Sequence, residues 1–336
     1  MKFSVVVCTY NYAHLLPDTL RSIAAQTARN FELLIVDDGS TDNTAEIAEK
    51  FRPQFQDFRY LKKSHTGPAD SRNVGAAAAQ GSHIAFLDAD DLWSVHYLSA
   101  MQEVFNANPR AELALCEGII FRSENGAVTE ATPHRRLPAL CGPVHSPEEL
   151  FSVIQAFTPS GMVFSRALFE RTGAFDANSF ASYSEDIDWI FRALLAGTFC
   201  ACVNRRLYLY RRHDDNLTNR AGESFRAWLS TYTKTLRDGR KDPRVEALAR
   251  GVIRARAARF LTTCSTREGK LLLRQALETL GGDAWVRICY LGSFLGLVSL
   301  LKFLKRAKQL WFRLFKKNLA INLGSSWEAV FDLFHE

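Results

Sequence analysis

The chain has 336 residues, enough to bury one substantial core with a smaller second unit. Its 47% hydrophobic and 23% charged residues are ordinary for a folded globular protein and exclude wholesale disorder. Seven cysteines without paired C-x-x-C clusters offer no cysteine zinc site, and they read as free thiols in a reducing cytoplasm.

The net charge of +6 is concentrated near the C-terminus. Residues 284–327 hold eight Lys or Arg and no acid, which leaves the rest of the chain slightly acidic. At the other end, Met1-Lys2-Phe3 leads straight into Val5-Val6-Val7 without the apolar region and cleavage site of a signal peptide. The expected location is therefore cytoplasmic.

Strand and helix signals alternate over the first hundred residues. Val5-Val6-Val7 predicts a buried strand, and residues 18–27 a helix with Leu20, Ile23 and Ala24 at helical spacing. Leu33-Leu34-Ile35-Val36 predicts a second strand, broken by Asp37-Asp38-Gly39-Ser40. A helix over 44–51, capped by Thr41 or Asp42, leads to a weaker strand at 58–61 and an Ala-rich helix at 71–80. Ile84-Ala85-Phe86-Leu87 is a fourth strand, ending in Asp88-Ala89-Asp90-Asp91. Such alternation predicts a parallel sheet covered on both faces. Farther on, 157–165 and 199–210 carry strand signals, 184–196 predicts a helix, and the chain is helical from about 222 with a break at Gly281-Gly282.

Ligands of parallel sheets bind at the carboxyl ends of the strands, and there the polar clusters fall: Thr9-Tyr10-Asn11, Asp37-Asp38, and 88–91. Acids so assembled repel one another and call for a cationic partner. Asp88 and Asp90 could hold Mg2+ or Mn2+, hard cations that bridge to phosphates, or could form a solvated turn. Asp38 reads either as a turn cap or as an acceptor for a nucleobase N–H, with Thr9 and Tyr10 flanking the base. Arg72, near a helix start, suits a phosphate. His213 reads as a metal ligand, a diphosphate contact or an exposed loop histidine. Trp93 and Trp189 read as an acceptor-sugar floor or as core.

In order, Val7-Cys8-Thr9-Tyr10-Asn11, Gln26-Thr27, Val36-Asp37-Asp38-Gly39-Ser40, Ser71-Arg72-Asn73-x-Gly75 and Phe86-Leu87-Asp88-Ala89-Asp90-Asp91 resemble the family 2 glycosyltransferases of the GT-A fold. Gly173-Ala174-Phe175-Asp176, Ser184-Glu185-Asp186-Ile187-Asp188-Trp189 and Tyr210-Arg211-Arg212-His213 extend the likeness over residues 3–220. Ser71 stands where the family more often has Ala.

The resemblance implies a Rossmann-like, mainly parallel sheet with helices on both faces. It implies a catalytic domain over 1–220, split into a nucleotide-sugar half (1–110) and an acceptor half (111–220), followed by a helical region (221–336). It also implies inverting transfer from a nucleotide-diphosphate sugar, most simply a UDP-sugar, to an acceptor hydroxyl in polysaccharide, lipopolysaccharide or glycolipid assembly. Asp186 would be the general base, Thr9, Tyr10, Asp38, Arg72 and Asp88 would bind the donor, and Asp90, Asp88 and His213 would hold Mn2+ or Mg2+. Asp186 and Asp188 diverge by about 200° on a helix, so one alone can face the donor. A scaffold that binds nucleotide-sugar without catalysis is the competing reading. Dehydrogenase and ATPase readings fail for want of G-x-G-x-x-G and G-x-x-x-x-G-K-[ST].

The apolar run 288–301 is shorter than the roughly 20 residues of a spanning helix. It continues into Lys302, Lys305, Arg306, Lys308, Arg313, Lys316 and Lys317 interleaved with Leu, Phe and Trp. That pattern fits an anionic membrane surface carrying a lipid-linked or glycan acceptor, or a helix packed on the catalytic domain, rather than nucleic acid.

Overall fold

The computed structural model describes residues 1–294, apart from 125–126, 135, 178–183, 215, 217–220, 238–241 and 264–265. The basic segment 302–317 lies outside the described residues. Those described form two compact units, Met1–His213 and the residues from Asp214 onward.

The first unit begins with β1 (Phe3–Thr9), α1 (Leu16–Ala24), β2 (Phe31–Asp37), α2 (Thr44–Phe51), β3 (Phe58–Lys62), α3 (Pro68–Ala78) and β4 (His83–Asp88). Asp42 caps α2 by accepting from the Thr44 N–H and hydroxyl at 3.0 and 2.6 Å. α3 starts at Pro68 rather than at 71, because proline's fixed φ and missing N–H suit the first helical position. There follow β5 (Leu92–Trp93), α4 (Tyr97–Ala107), β6 (Leu113–Glu124), β7 (Ala127–Pro133), β8 (Cys141–Gly142), α5 (Pro147–Ala156), β9 (Met162–Ser165), α6 (Arg166–Thr172), α7 (Glu185–Leu195) and β10 (Cys200–Arg211).

One sheet runs in the order β3-β2-β1-β4-β9-β6-β10-β5, with β7 on β6 and β8 on β10. Strands β3, β2, β1 and β4 are parallel, as are β6 and β10; β9 joins the two groups antiparallel to both β4 and β6.

Side-chain alternation divides the core between the two faces. Val5, Val7, Leu33, Ile35, Ala85 and Leu87 pack with Leu16, Leu20 and Ile23 of α1 and Leu98, Met101 and Phe105 of α4. On the other face, α3 comes so close that a Cβ on Gly75 would stand 2.2 Å from Val6 Cγ1. There Phe86 packs against Phe164 and Phe175, which in turn meet the Trp189 ring at 4.7 and 5.4 Å.

The second unit contains α8 (Ala221–Arg237), α9 (Pro243–Thr263), α10 (Thr266–Thr279) and α11 (Ala284–Gly292). Leu229, Ile253, Leu272, Leu273, Val286 and Cys289 form its core. Gly281 and Gly282, at φ +63° and +95°, make the turn before α11. Among the described residues, no helix is long and apolar enough to cross a membrane.

Candidate active site

Parallel register brings the polar clusters to one edge. Thr9 pairs with Asp37 and Cys8 with Asp88, so β1, β2 and β4 end side by side. The three acids at the end of β4 and in the turn after it then meet different surroundings. Asp91 is buried, its carboxylate accepting from Ser160 Oγ at 2.6 Å and the Arg211 N–H at 2.9 Å. Arg211 secures the same turn by donating to the Asp90 carbonyl at 2.9 Å, Asp18 Oδ2 at 3.1 Å and Ser123 Oγ at 2.6 Å. Asp90 Oδ2 lies 2.9 Å from His213 Nε2, and the Tyr12 ring meets the imidazole edge-on at 5.5 Å. Asp88 Oδ1 accepts from Arg72 Nη2 at 3.0 Å.

The cluster is electrostatically costly. Burial first, and then the Asp90 and Asp88 charges, hold the Asp91 carboxyl well above the usual carboxylate range. Burial raises Asp88 as well, against the pull of Arg72 and with a push from Asp90. The carboxylates are oxygen donors of the kind Mn2+ and Mg2+ prefer, and the His213 imidazole stands beside one of them at Asp90. Among the described residues no group of three or more His, Cys, Asp or Glu side chains is arranged to hold a metal. Asp90, His213 and Asp88 are the residues that would hold such a cation.

At the end of β1, Thr9 is buried with its hydroxyl unpaired among the described residues, while Tyr10 is 40% exposed. The Tyr10 ring stacks on His65 with centroids 4.0 Å apart. Asp38 is buried, and both its oxygens are engaged by the loop between β3 and α3. Oδ1 accepts from Lys63 Nζ and from the Thr66 N–H at 2.9 Å; Oδ2 accepts from the Gly67 N–H at 2.8 Å and faces His65 Nδ1 at 2.8 Å. A nucleobase reaching Asp38 must share or replace those donors. Asp37 is a structural neighbour, accepting from the Ser40 N–H at 2.8 Å and from the Tyr60 hydroxyl.

Arg72 faces carboxylates from two directions. Besides Asp88, it donates through Nη1 to Glu185, and with just 5% of its surface exposed it is deeply buried. Burial opposes its charge, but Asp88 and Glu185 outweigh that and hold the guanidinium protonated. Asp186 follows at the N-terminal turn of α7, its Oδ1 accepting from the Ile187 N–H at 2.7 Å. Burial and then the Glu185 charge, partly offset by Arg72, push its carboxyl up to about 7, inside the range useful to a general base. Asp188 is buried and paired with Arg192 Nε at 2.9 Å, while Arg192 also binds the Thr172 and Ala174 carbonyls.

Residues 4–173, half of the chain, match the family model described as Glycosyl transferase family 2. The chain belongs to that family. An uncharacterized glycosyltransferase of Nostoc is 41% identical over 109 residues, 32% of this chain and 34% of that protein. Glycosyltransferase GlyG of Streptococcus pneumoniae is 40% identical over 90 residues, 26% of this chain and 30% of that protein. The chain thus spans about a third of these relatives' length. Among solved structures, S. aureus TarS residues 1–349 superpose with a TM-score of 0.69 at 19% identity, covering 92% of both chains. A mannosyltransferase from Pyrobaculum calidifontis gives 0.57 at 18% identity, covering 94% of this chain and 88% of that one. At such identities the likeness establishes the GT-A arrangement of the sheet and helices.

Within this family-2 chain, Trp93 and Trp189 are fully buried, and each anchors its indole N–H on a carbonyl, Ser160 at 2.8 Å and Gly173 at 2.9 Å. Both belong to the core. Sequence reasoning did not single out Ser160 or His65, nor the Asn73 side chain, which clamps Phe175. Ser160 is visible only once β9 lies beside β4, whereas Asn73 and Arg211 stood inside motifs whose contacts no spacing reveals.

Proposed function

We propose that the chain is an inverting glycosyltransferase that moves a sugar from a nucleotide-diphosphate donor, a UDP-sugar first, to an acceptor hydroxyl. The observation that carries this reading is the meeting at one sheet edge of the Asp90–His213 pair and the Asp88–Arg72–Glu185 chain of contacts, with Asp186 next to Glu185. TarS has been crystallised with UDP-GlcNAc, and the Pyrobaculum enzyme with GDP-mannose and Mn2+.

The acceptor oxygen attacks the anomeric carbon on the face opposite the diphosphate, forming the new C–O bond as the bond to the phosphate oxygen breaks. The electron pair leaves with the nucleoside diphosphate, and the hydroxyl proton passes to the Asp186 carboxylate. One displacement inverts the configuration. Thr9, Tyr10 and Asp38 hold the base end of the donor, and Arg72 brings positive charge toward the phosphate end. Asp90 and His213, with Asp88 beside them, would hold a divalent cation, Mn2+ or Mg2+, which when bound neutralises charge on the leaving diphosphate.

The acceptor belongs by this reading to polysaccharide, lipopolysaccharide or glycolipid assembly at the cytoplasmic membrane face. Support for a membrane surface comes from α11 and its continuation. Trp285, Ile288, Leu291 and Phe294 are 44–59% exposed, and the sequence beyond them is the acid-free basic stretch. Sedimentation with anionic liposomes is expected for the intact chain and reduced on truncation after Phe294, which spares α11 and the core it completes; equal binding by both removes the membrane from the proposal.

A thermal-shift screen of nucleotide-sugars with Mn2+ tests the donor, because a bound ligand raises the melting temperature by mass action. The expected outcome is a shift with one UDP-sugar and release of UDP from it. Binding without turnover by any acceptor would favour a scaffold over an enzyme.

A further inference from the structure

Arg72 and Asn73 stand next to each other on α3 and grip two separate pieces of the acceptor half. Asn73 exchanges a pair of hydrogen bonds with the Phe175 main chain, 2.9 Å to its carbonyl and 2.8 Å from its N–H. Arg72 divides its guanidinium between Asp88, 3.0 Å away at the end of β4, and Glu185, the first residue of α7. Glu185 is 4% exposed, and its Oε2 has no partner among the described residues. A buried carboxylate is costly unless an opposite charge meets it, and here the Arg72 guanidinium does so.

We propose that Glu185 is a positioning residue: through Arg72 it locks the first turn of α7, and Asp186 on it, against the Asp88 end of β4. The spacing between base and diphosphate site is thereby set by a rigid carboxylate–guanidinium–carboxylate strut, with Asn73 steadying the neighbouring Phe175 segment. This rests on the general-base reading of Asp186. Misplacing a reacting group by about 1 Å can cost on the order of 100-fold in rate, so a strut of this kind acts on turnover more than on donor affinity.

The charged groups facing Asp186 are Glu185 on its own helix, Arg72 from α3 and Asp88 from β4; Asp188 is turned to Arg192. Cys8 of β1, whose thiol burial pushes up to about 12, stays neutral beside Arg72. Glu185 is the largest electrostatic contributor to the proton affinity of Asp186, so its neutralisation lowers that affinity.

The test is steady-state turnover of the donor selected by the thermal screen, with Mn2+, in the full chain. Glu185→Gln is expected to lower kcat by at least tenfold with donor KM within about twofold, and to move the acid limb of the kcat profile to lower pH. In a cycle with Arg72→Gln, adding Glu185→Gln to Arg72→Gln is expected to lower kcat little beyond Arg72→Gln alone, because Glu185 acts through Arg72. Glu185→Asp, which keeps the charge and shortens the reach, serves if Glu185→Gln does not fold, and is expected to lower kcat without raising donor KM. Wild-type turnover, a rise in donor KM with kcat kept, or additive losses in the cycle each overturn the strut. Asp186→Asn beside them separates the two readings. If it turns over like wild type, the general-base reading has failed; if it is inactive while Glu185→Gln is normal, only the strut has.

Discussion

Two acidic clusters face one another in the first unit, Asp88–Asp91 at the end of a strand and Glu185–Asp188 at the start of a helix, and they are built in parallel. Each spends one acid on structure: Asp91 on Ser160 and Arg211, Asp188 on Arg192. Each gives one acid to Arg72, Asp88 in the first cluster and Glu185 in the second. By the proposed function each leaves one for chemistry, Asp90 beside His213 and Asp186. The difference lies in how repulsion is met. The strand-end turn relies on donors brought from distant parts of the chain, whereas acids in the first turn of a helix also gain from its exposed N–H groups and macrodipole. In neither cluster does the count of acids tell the three apart; their partners do.

The comparison breaks most sharply if the two helix acids are exchanged in role. Asp186→Asn is expected to lower kcat by about 10²- to 10⁴-fold with donor binding retained, whereas Asp188→Asn leaves kcat within about tenfold; initial rates and donor titration read both. Comparable losses from the two would contradict the division.

A smaller effect is expected in stability. Asp91→Ala strands the Ser160 hydroxyl and the Arg211 N–H in the core and should cost about 3 kcal/mol in urea unfolding. Asp188→Ala should cost about 1 kcal/mol, since Arg192 keeps its carbonyls at Thr172 and Ala174.

The remaining effect concerns pH. The Asp186 carboxyl is raised from 3.8 to about 7, so between those values the folded state holds a proton that the unfolded state has released. The unfolded carboxyl ionises freely while the folded one resists, so stability from this group is lost as the pH rises through that window. Asp186→Asn should therefore melt a few degrees above wild type at pH 8, with the difference vanishing below pH 4. A lower melting temperature for the variant at pH 8 would reverse the sign.

Much of the fold over residues 1–110 is legible residue by residue. Val5-Val6-Val7, Leu33 to Val36 and Ile84 to Leu87 are apolar runs bounded by turn residues, and α2 is found at 44–51. Their signals are local, which is why a window of sequence finds them. The stretch 92–156, for which the sequence patterns predict no element, contains α4, β6, β7 and α5. Its strands pair with partners from far along the chain, β6 with β10 and β9, and such pairing leaves little local imprint.

By itself the sequence determined which residue types stand at the strand ends and the helix start: Thr9, Tyr10, Asp38, Arg72, Asp88, Asp90, Asp186 and His213, each tied to an element by short-range patterning. Tertiary structure alone decided their partners. It turned Arg72 toward two carboxylates, closed the 63–67 loop over Asp38, buried Trp93 and Trp189, and set His213 against Asp90. The reason is physical. Backbone preference and hydrophobic period act within a few residues, whereas the state of a buried charge depends on whatever the fold places within a few ångströms of it.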